Sequence, residues 1–105
     1  MERKLKFTPT ANAQLTALEK SPATAALLAQ VRKALGYLEI DPRPPGLRMH
    51  VFTSLTGVNG EKVFEAYAQN DTPGACRIFW HYDPDEIKGR KRTPVITVVA
   101  ITRHP

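Results

Sequence analysis

The stretch that decides the fold is GACRIFWHYDP, residues 74–84. Its side chains alternate at period two, which is typical of a strand with two different faces. One set is core material: Cys76, Ile78, Trp80 and Tyr82. The other set combines a cation, an aromatic ring and an imidazole: Arg77, Phe79 and His81. Such a strand predicts a sheet that is buried on one face and carries functional groups on the other.

Period two continues on both sides of this strand. LRMHVF (47–52) and VFEAYAQ (63–69) alternate in the same way, and KLKF (4–7) is a short candidate for a first strand. TPVITVVAITRHP (93–105) is apolar on both sides for most of its length, as expected of a strand inside a sheet. Turn residues separate the strands at TGVNG (56–60) and NDTPG (70–74).

Two helix starts lie between the first two strands. Thr8 and Pro9 combine an N-cap residue with a proline at the first helical position, and "SP" at 21–22 repeats the signal. The second helix has an apolar stripe formed by Leu27, Leu28, Val31, Leu35 and Leu38. DPRPPG (41–46) ends this helix, because proline cannot continue it.

These elements predict an α+β fold in the order β-α-α-β-β-β-β, as a single domain over residues 1–105. Two helices would pack on one face of a mostly antiparallel sheet of four to five strands. DPDEIKGRKR (83–92) is interpreted as a charged, mobile loop. The helices would cover Leu47, Met49, Val51, Phe64, Ala66, Ala68, Cys76, Ile78, Trp80, Ile96, Val98 and Ala100. The opposite face would carry Arg48, His50, Phe52, Glu65, Tyr67, Arg77, Phe79, His81, Thr97 and Arg103.

Composition restricts the functional classes. Fifteen Lys and Arg against ten Asp and Glu give a net charge of +5, which favours polyanionic partners, nucleic acid first. No apolar run is long enough for a membrane span, and no secretory signal is visible. One cysteine and three scattered histidines show no metal-ligand spacing, so we expect no metal and no cofactor. A cytoplasmic location is the default expectation.

The polar face suits cleavage of RNA without a metal. That reaction needs a base for the 2′-hydroxyl, cations for the phosphorane oxygens and an acid for the departing 5′-oxygen. Histidine or glutamate can transfer the protons, and arginine binds phosphate through two parallel hydrogen bonds. Exposed aromatic rings can stack on bases.

Each candidate also has a structural explanation. Arg77 could form an ion pair with Glu65 on the neighbouring strand, which would not exclude a function. His81 falls about 13 Å along the strand from Arg77, where a solvated histidine at the rim of the sheet is equally consistent with the pattern. The aromatic residues could simply cover the sheet, and we interpret Cys76 as core.

The residues resemble the RelE/ParE superfamily of bacterial toxins over nearly the whole chain. The likeness is carried by FTPTANAQLTAL (7–18), DPRPPGLRMHVFTSLTG (41–57), VFEAYAQN (63–70) and above all CRIFWHY (76–82). Its most specific element is an arginine that opens an apolar and aromatic strand, here Arg77.

The resemblance implies a toxin of a type II toxin–antitoxin pair. In RelE-like members the toxin cuts mRNA in the ribosomal A site, and an antitoxin covers the basic sheet face. Arg77 then matches the strand arginine that stabilises the transition state, and His104 lies where some members carry a catalytic histidine. The expected catalytic residues are Arg77, His50, His104 and Glu65. The expected RNA contacts are Arg48, Arg103, His81, Phe79, Tyr67 and Lys62.

The sequence departs from the family pattern in two places. The paired lysines that some family nucleases carry on the preceding strand are absent, and Glu65 and Tyr67 stand there instead. The C-terminal tyrosine of other members is also missing.

Three functional hypotheses therefore remain. The first is a ribosome-dependent mRNA endoribonuclease, and the second is a ParE-like inhibitor of DNA gyrase without catalysis of its own. The third is a non-toxic member that binds operator DNA only through its antitoxin complex. All three predict a cognate antitoxin protein and no membrane partner.

Overall fold

The structure is a computed structural model that describes residues 3–40, 49–68 and 76–103. The predicted turns at 41–46 and 70–74 lie outside these ranges. The observed order of elements is the predicted one, with a short 3-10 turn added between the helices. The elements are β1 (Lys4–Phe7), α1 (Pro9–Lys20), the 3-10 turn (Pro22–Thr24), α2 (Ala25–Ile40), β2 (Met49–Thr56), β3 (Lys62–Tyr67), β4 (Cys76–Lys88) and β5 (Lys91–Arg103).

The helix starts follow their sequence signals. Thr8 is the N-cap of α1, and its Oγ1 accepts a hydrogen bond from the Ala11 N–H at 3.1 Å. Pro22 begins the 3-10 turn, and the Thr24 hydroxyl donates to the Leu18 carbonyl at 2.8 Å, which ties this turn to the end of α1. Within the described ranges, neither helix has the length and apolar character needed to cross a membrane.

The sheet has five strands in the order β1-β5-β4-β3-β2. β1 pairs with β5 in parallel, and the other neighbours are antiparallel. The α+β class and the mostly antiparallel sheet are therefore confirmed. The main core joins α1, α2 and the sheet through Ala11, Leu27, Val31, Ala34, Leu35, Leu38, Ala66, Cys76, Ile78, Trp80, Ile96, Val98 and Ile101.

A register shift in β5 corrects the predicted face of its second half. Trp80 pairs with Val98, but Phe79 pairs with Ala100, so one extra residue, Val99, is inserted into β5 as a bulge. Beyond the bulge the alternation is inverted. The prediction that Ala100 is a core residue is therefore wrong, and Ile101, opposite Ile78 and 4% exposed, joins the core in its place.

The same shift changes the position of Arg103. Thr102 stands opposite Arg77, and Arg103 stands opposite Cys76, which belongs to the helix-side core. Residues directly opposite each other in an antiparallel pair share a face. The prediction that Arg103 belongs to the face opposite the helices is therefore wrong at the level of the backbone register.

The segment at 83–92 is a hairpin, so its interpretation as a mobile loop is wrong. Glu86 pairs with Thr93, Ile87 with Arg92 and Lys88 with Lys91. Gly89 supplies the positive φ of +59° that a two-residue turn requires. Pro84 is tolerated because the ladder is irregular between Asp83 and Glu86. Because both sides of this exposed hairpin carry charged residues, the segment lacks the apolar alternation from which a strand is predicted.

An ion cluster ties this hairpin to the edge strand β1. Glu86 Oε2 lies 3.1 Å from Lys6 Nζ, and Glu86 Oε1 lies 3.2 Å from Lys4 Nζ. Hydrogen bonds from Lys6 and then Lys4 hold the pKa of the Glu86 carboxyl below its usual range. A carboxyl whose pKa is lower in the folded state stabilises the fold above its unfolded-state pKa.

We predict that Glu86→Gln lowers Tm at neutral pH and that the difference from wild type closes in acid. The stabilising contribution is complete above the unfolded-state pKa of about 4.3 and is lost as the pH falls through the lower folded-state value. Thermal melts between about pH 7 and pH 3 check this. Glu39→Gln, which removes the same charge at an exposed position of α2, is the control. A Tm difference for Glu86→Gln that is independent of pH would contradict the linkage.

Candidate functional site

The sheet face opposite the helices, here called the far face, is built on β3 and β4 by Glu65, Tyr67, Arg77, Phe79 and His81. Backbone register arranges these residues in rows across the strands. His50 of β2 stands opposite Glu65, and Glu65 stands opposite Phe79. Tyr67 stands opposite Arg77 in the adjacent row. The register therefore brings three of the four predicted catalytic positions, His50, Glu65 and Arg77, into neighbouring places.

Arg77 and Glu65 form an ion pair at the centre of this group. Arg77 Nη1 donates to Glu65 Oε2 at 2.8 Å. The Glu65 side chain is 4% exposed and the Arg77 side chain is 19% exposed. Because both charges have been taken largely out of water, each depends on the other for compensation. The structural explanation that the sequence left open for Arg77 is thus present in the molecule.

Phe79 is buried on the far face, so the expectation that it is an exposed ring is wrong. It is 4% exposed. The ring of Phe52 packs against it edge-on at 4.8 Å between centroids, and Arg77 Cζ lies 5.2 Å from its centroid. β2 carries Phe52 over this part of the sheet, which is why alternation in β4 alone did not reveal the burial. Its predicted contact with RNA has no exposed ring to support it.

The ion pair with Glu65 and the ring of Phe79 together fix the position of the Arg77 guanidinium. One of its five N–H groups goes to Glu65, and Nε has no hydrogen-bond partner among the residues that the structure describes. Phe79 supports the plane from one side. The Arg77 side chain is 19% exposed, so a guanidinium held in this way can meet an anion with little further loss of conformational freedom.

The remaining predicted contacts are dispersed. Tyr67 is partly buried beside Arg77, and Lys62 is exposed at the start of β3. Arg103 stands opposite Cys76, one position beyond the Arg77 row. Arg48 and His104 lie outside the described residues, so their predicted roles stay predictions.

His81 occupies a different part of the far face, where its neighbours are carboxylates. Its Nδ1 lies 3.1 Å from Asp83 Oδ1 and 3.9 Å from Glu61 Oε2, and the residue is only 8% exposed. The solvated rim position considered from the sequence is therefore wrong. Carboxylates repel phosphate, so these surroundings do not support His81 as an RNA contact.

Two hydrogen bonds hold the carboxylates around His81. The Asn59 N–H donates to Glu61 Oε1 at 2.8 Å, and Thr97 Oγ1 donates to Asp83 Oδ2 at 2.5 Å. Hydrogen bonds from the backbone N–H groups of Glu61 and Asn59 hold the pKa of the Glu61 carboxyl below its usual range. Glu61, His81 and Asp83 each offer one ligand atom, and these atoms lie within 4.8 Å of one another.

Sequence reasoning missed Glu61 and Asp83. The pair His81 and Asp83 has a detectable signal, because residues two apart on a strand share a face. Glu61 has none, since it precedes β3 and reaches His81 only through the geometry of the β2–β3 turn. In that turn a Cβ on Gly57 would collide with the Glu61 carboxylate, so glycine leaves the space that Glu61 fills.

We predict that Arg77→Ala destabilises the fold far more than Arg32→Ala. Removing Arg77 takes away the cation that lies 2.8 Å from the buried Glu65 carboxylate, which costs about 3–5 kcal/mol. Arg32 forms a pair of similar length with Glu19, at 3.0 Å, but the two side chains are 60% and 44% exposed. Its loss costs about 1 kcal/mol or less.

Urea denaturation of the two variants measures both costs. The double variant Arg77→Ala with Glu65→Gln should recover part of the loss, because the buried carboxylate charge is removed as well. Equal costs for Arg77→Ala and Arg32→Ala would show that the far-face pair is not a buried ion pair in solution.

Comparisons with known proteins give no match, whether to protein-family models, to curated proteins or to solved structures.

Proposed function

We propose that this chain is the toxin of a type II toxin–antitoxin pair, of the RelE/ParE kind, and that it cleaves mRNA on the ribosome without a metal ion. The resemblance of CRIFWHY (76–82) and its flanking segments to that superfamily supports the proposal, as does the order of helices and strands in an α+β domain. A net charge of +5 suits a ribosomal, RNA-rich target.

The observation that carries the proposal is that the backbone register brings the positions of His50, Glu65 and Arg77 together. Three strands contribute one position each, and the register makes these positions neighbours on the far face. Cleavage needs proton transfer and phosphate stabilisation at one place, and these residue types supply both. The fixed guanidinium of Arg77 is suited to the charge that develops on the phosphorane oxygens.

In the proposed reaction the 2′-oxygen forms a bond to phosphorus while the bond from phosphorus to the 5′-oxygen breaks. His50 accepts the proton of the 2′-hydroxyl, and His104 gives a proton to the departing 5′-oxygen. The products are a 2′,3′-cyclic phosphate and a 5′-hydroxyl. Glu65 positions Arg77 through their ion pair, and Arg48 contributes positive charge along the RNA.

One observation favours a second candidate, a ParE-like inhibitor of DNA gyrase without catalysis. Arg77 is engaged with Glu65, and Phe79 offers no exposed ring for a base. Those contacts would serve equally well to stiffen a protein-binding face. In either case a cognate antitoxin would cover the far face, and operator DNA would be bound only through that complex.

We predict that the purified protein cuts mRNA on programmed ribosomes and leaves free RNA intact. Arg77→Lys should reduce cleavage by roughly 100-fold, because lysine keeps the charge beside Glu65 but loses the planar pair of donors. His50→Ala should reduce it by about 100-fold or more, since general acid–base catalysis contributes at least that factor. The assay follows cleavage products by primer extension.

Arg32→Lys is the matched control, because it makes the same substitution in the exposed pair on the helices and should cleave normally. Folding of every variant is checked by circular dichroism. If folded wild type does not cleave, or if Arg77→Lys and His50→Ala cleave like wild type, the nuclease proposal fails. Trapped gyrase–DNA breaks that are indifferent to His50→Ala would then establish the second candidate.

A further inference from the structure

The far face has a second polar cluster, distinct from the group around Arg77. Its members are Glu61 in the β2–β3 turn and His81 and Asp83 on β4. His81 lies four positions along the extended strand from Arg77, which is about 13 Å. The endoribonuclease proposal gives these three residues no role.

The two carboxylates present one oxygen each to the imidazole. Asn59 holds Glu61 by Oε1, and Oε2 lies 3.9 Å from His81 Nδ1. Thr97 holds Asp83 by Oδ2, and Oδ1 lies 3.1 Å from the same nitrogen. Carboxylates oriented by hydrogen bonds from outside the cluster are the usual arrangement around a bound metal ion.

His81 supplies an independent observation. Its Nδ1 is buried, and no hydrogen bond satisfies it within the described part of the chain. The nearby Asp83 oxygen is close enough in distance but does not meet the direction that a ring N–H requires. A buried nitrogen left in this state is costly unless some other group satisfies it.

We propose that Glu61, His81 and Asp83 bind a divalent transition-metal ion of the Zn²⁺ class. The ion would accept the lone pair of His81 Nδ1 and compensate the two carboxylate charges. One imidazole nitrogen with two carboxylate oxygens is a donor set for Zn²⁺ or Mn²⁺ and has too few oxygens for Ca²⁺.

The geometry requires only small movements. The three ligand atoms lie within 4.8 Å of one another. Ligands that share one zinc at about 2.0–2.2 Å lie roughly 3–3.5 Å apart, so the carboxylates need to close by about 1 Å. Water completes the coordination. The bound ion joins the β2–β3 turn to β4, and its predicted effect is to stabilise this end of the sheet.

Isothermal titration of the whole protein with Zn²⁺ alone, after treatment with a chelator, tests the site. We expect one ion per chain with a micromolar or lower Kd, and a rise in Tm when the ion is added in excess. Glu61→Gln keeps the shape of a partly exposed side chain and should weaken binding at least tenfold. Asp85→Asn changes an exposed carboxylate on the same strand and should bind like wild type.

A spectroscopic measurement covers the case in which changes at His81 prevent folding. Long-range ¹H–¹⁵N NMR of the wild-type protein should show that Zn²⁺ shifts the Nδ1 resonance of His81 and leaves those of His50 and His104 unchanged. Absence of binding, equal binding by wild type and Glu61→Gln, or a shift confined to His50 and His104 would each overturn the proposal.

Discussion

Burial of one side of β4 under the helices is the constraint on which the rest of the molecule depends. Ile78 and Trp80 are fully buried against α1 and α2 in the main core. Because side chains alternate along a strand, this packing places Arg77, Phe79 and His81 on the far face. A slip of one residue in the register of β4 would bury Arg77 in the apolar core. Because burying an unpaired charge is costly, the observed register is strongly favoured over the slipped one.

Among the residues that the structure describes, the far face has two different electrostatic environments. Around Arg77 a single cation is matched to the Glu65 carboxylate and supported by Phe79. Around His81 two carboxylates converge on one imidazole. An anionic ligand is therefore repelled more strongly from the second region than from the first, where the Glu65 carboxylate is matched by a cation. The two ends of the far-face row on β4, at Arg77 and at His81, therefore differ in the ligands that they suit.

Sequence periodicity was sufficient for the order of elements and the helix starts, and it offered the ion pair with Glu65 as one explanation of Arg77. These features depend on local alternation and on residues that stand opposite each other once neighbouring strands are paired. It was insufficient where a distant segment intervenes. The bulge at Val99 reverses the faces of β5, Phe52 covers Phe79, and a turn brings Glu61 to His81. None of these is encoded in the period of a single strand.

The position of β5 has a consequence for how the protein folds. β5 lies between β1 and β4, and its partners are Lys4–Phe7 on one side and the preceding hairpin strand on the other. The β4–β5 hairpin can form from local contacts, whereas β1 must close a loop of some ninety residues to pair with Val95–Val98. We therefore expect β1 to pair with β5 late in folding. Until then the outer edge of β5 is an unprotected template for strand pairing, and this is the stage at which the chain is most exposed to aggregation.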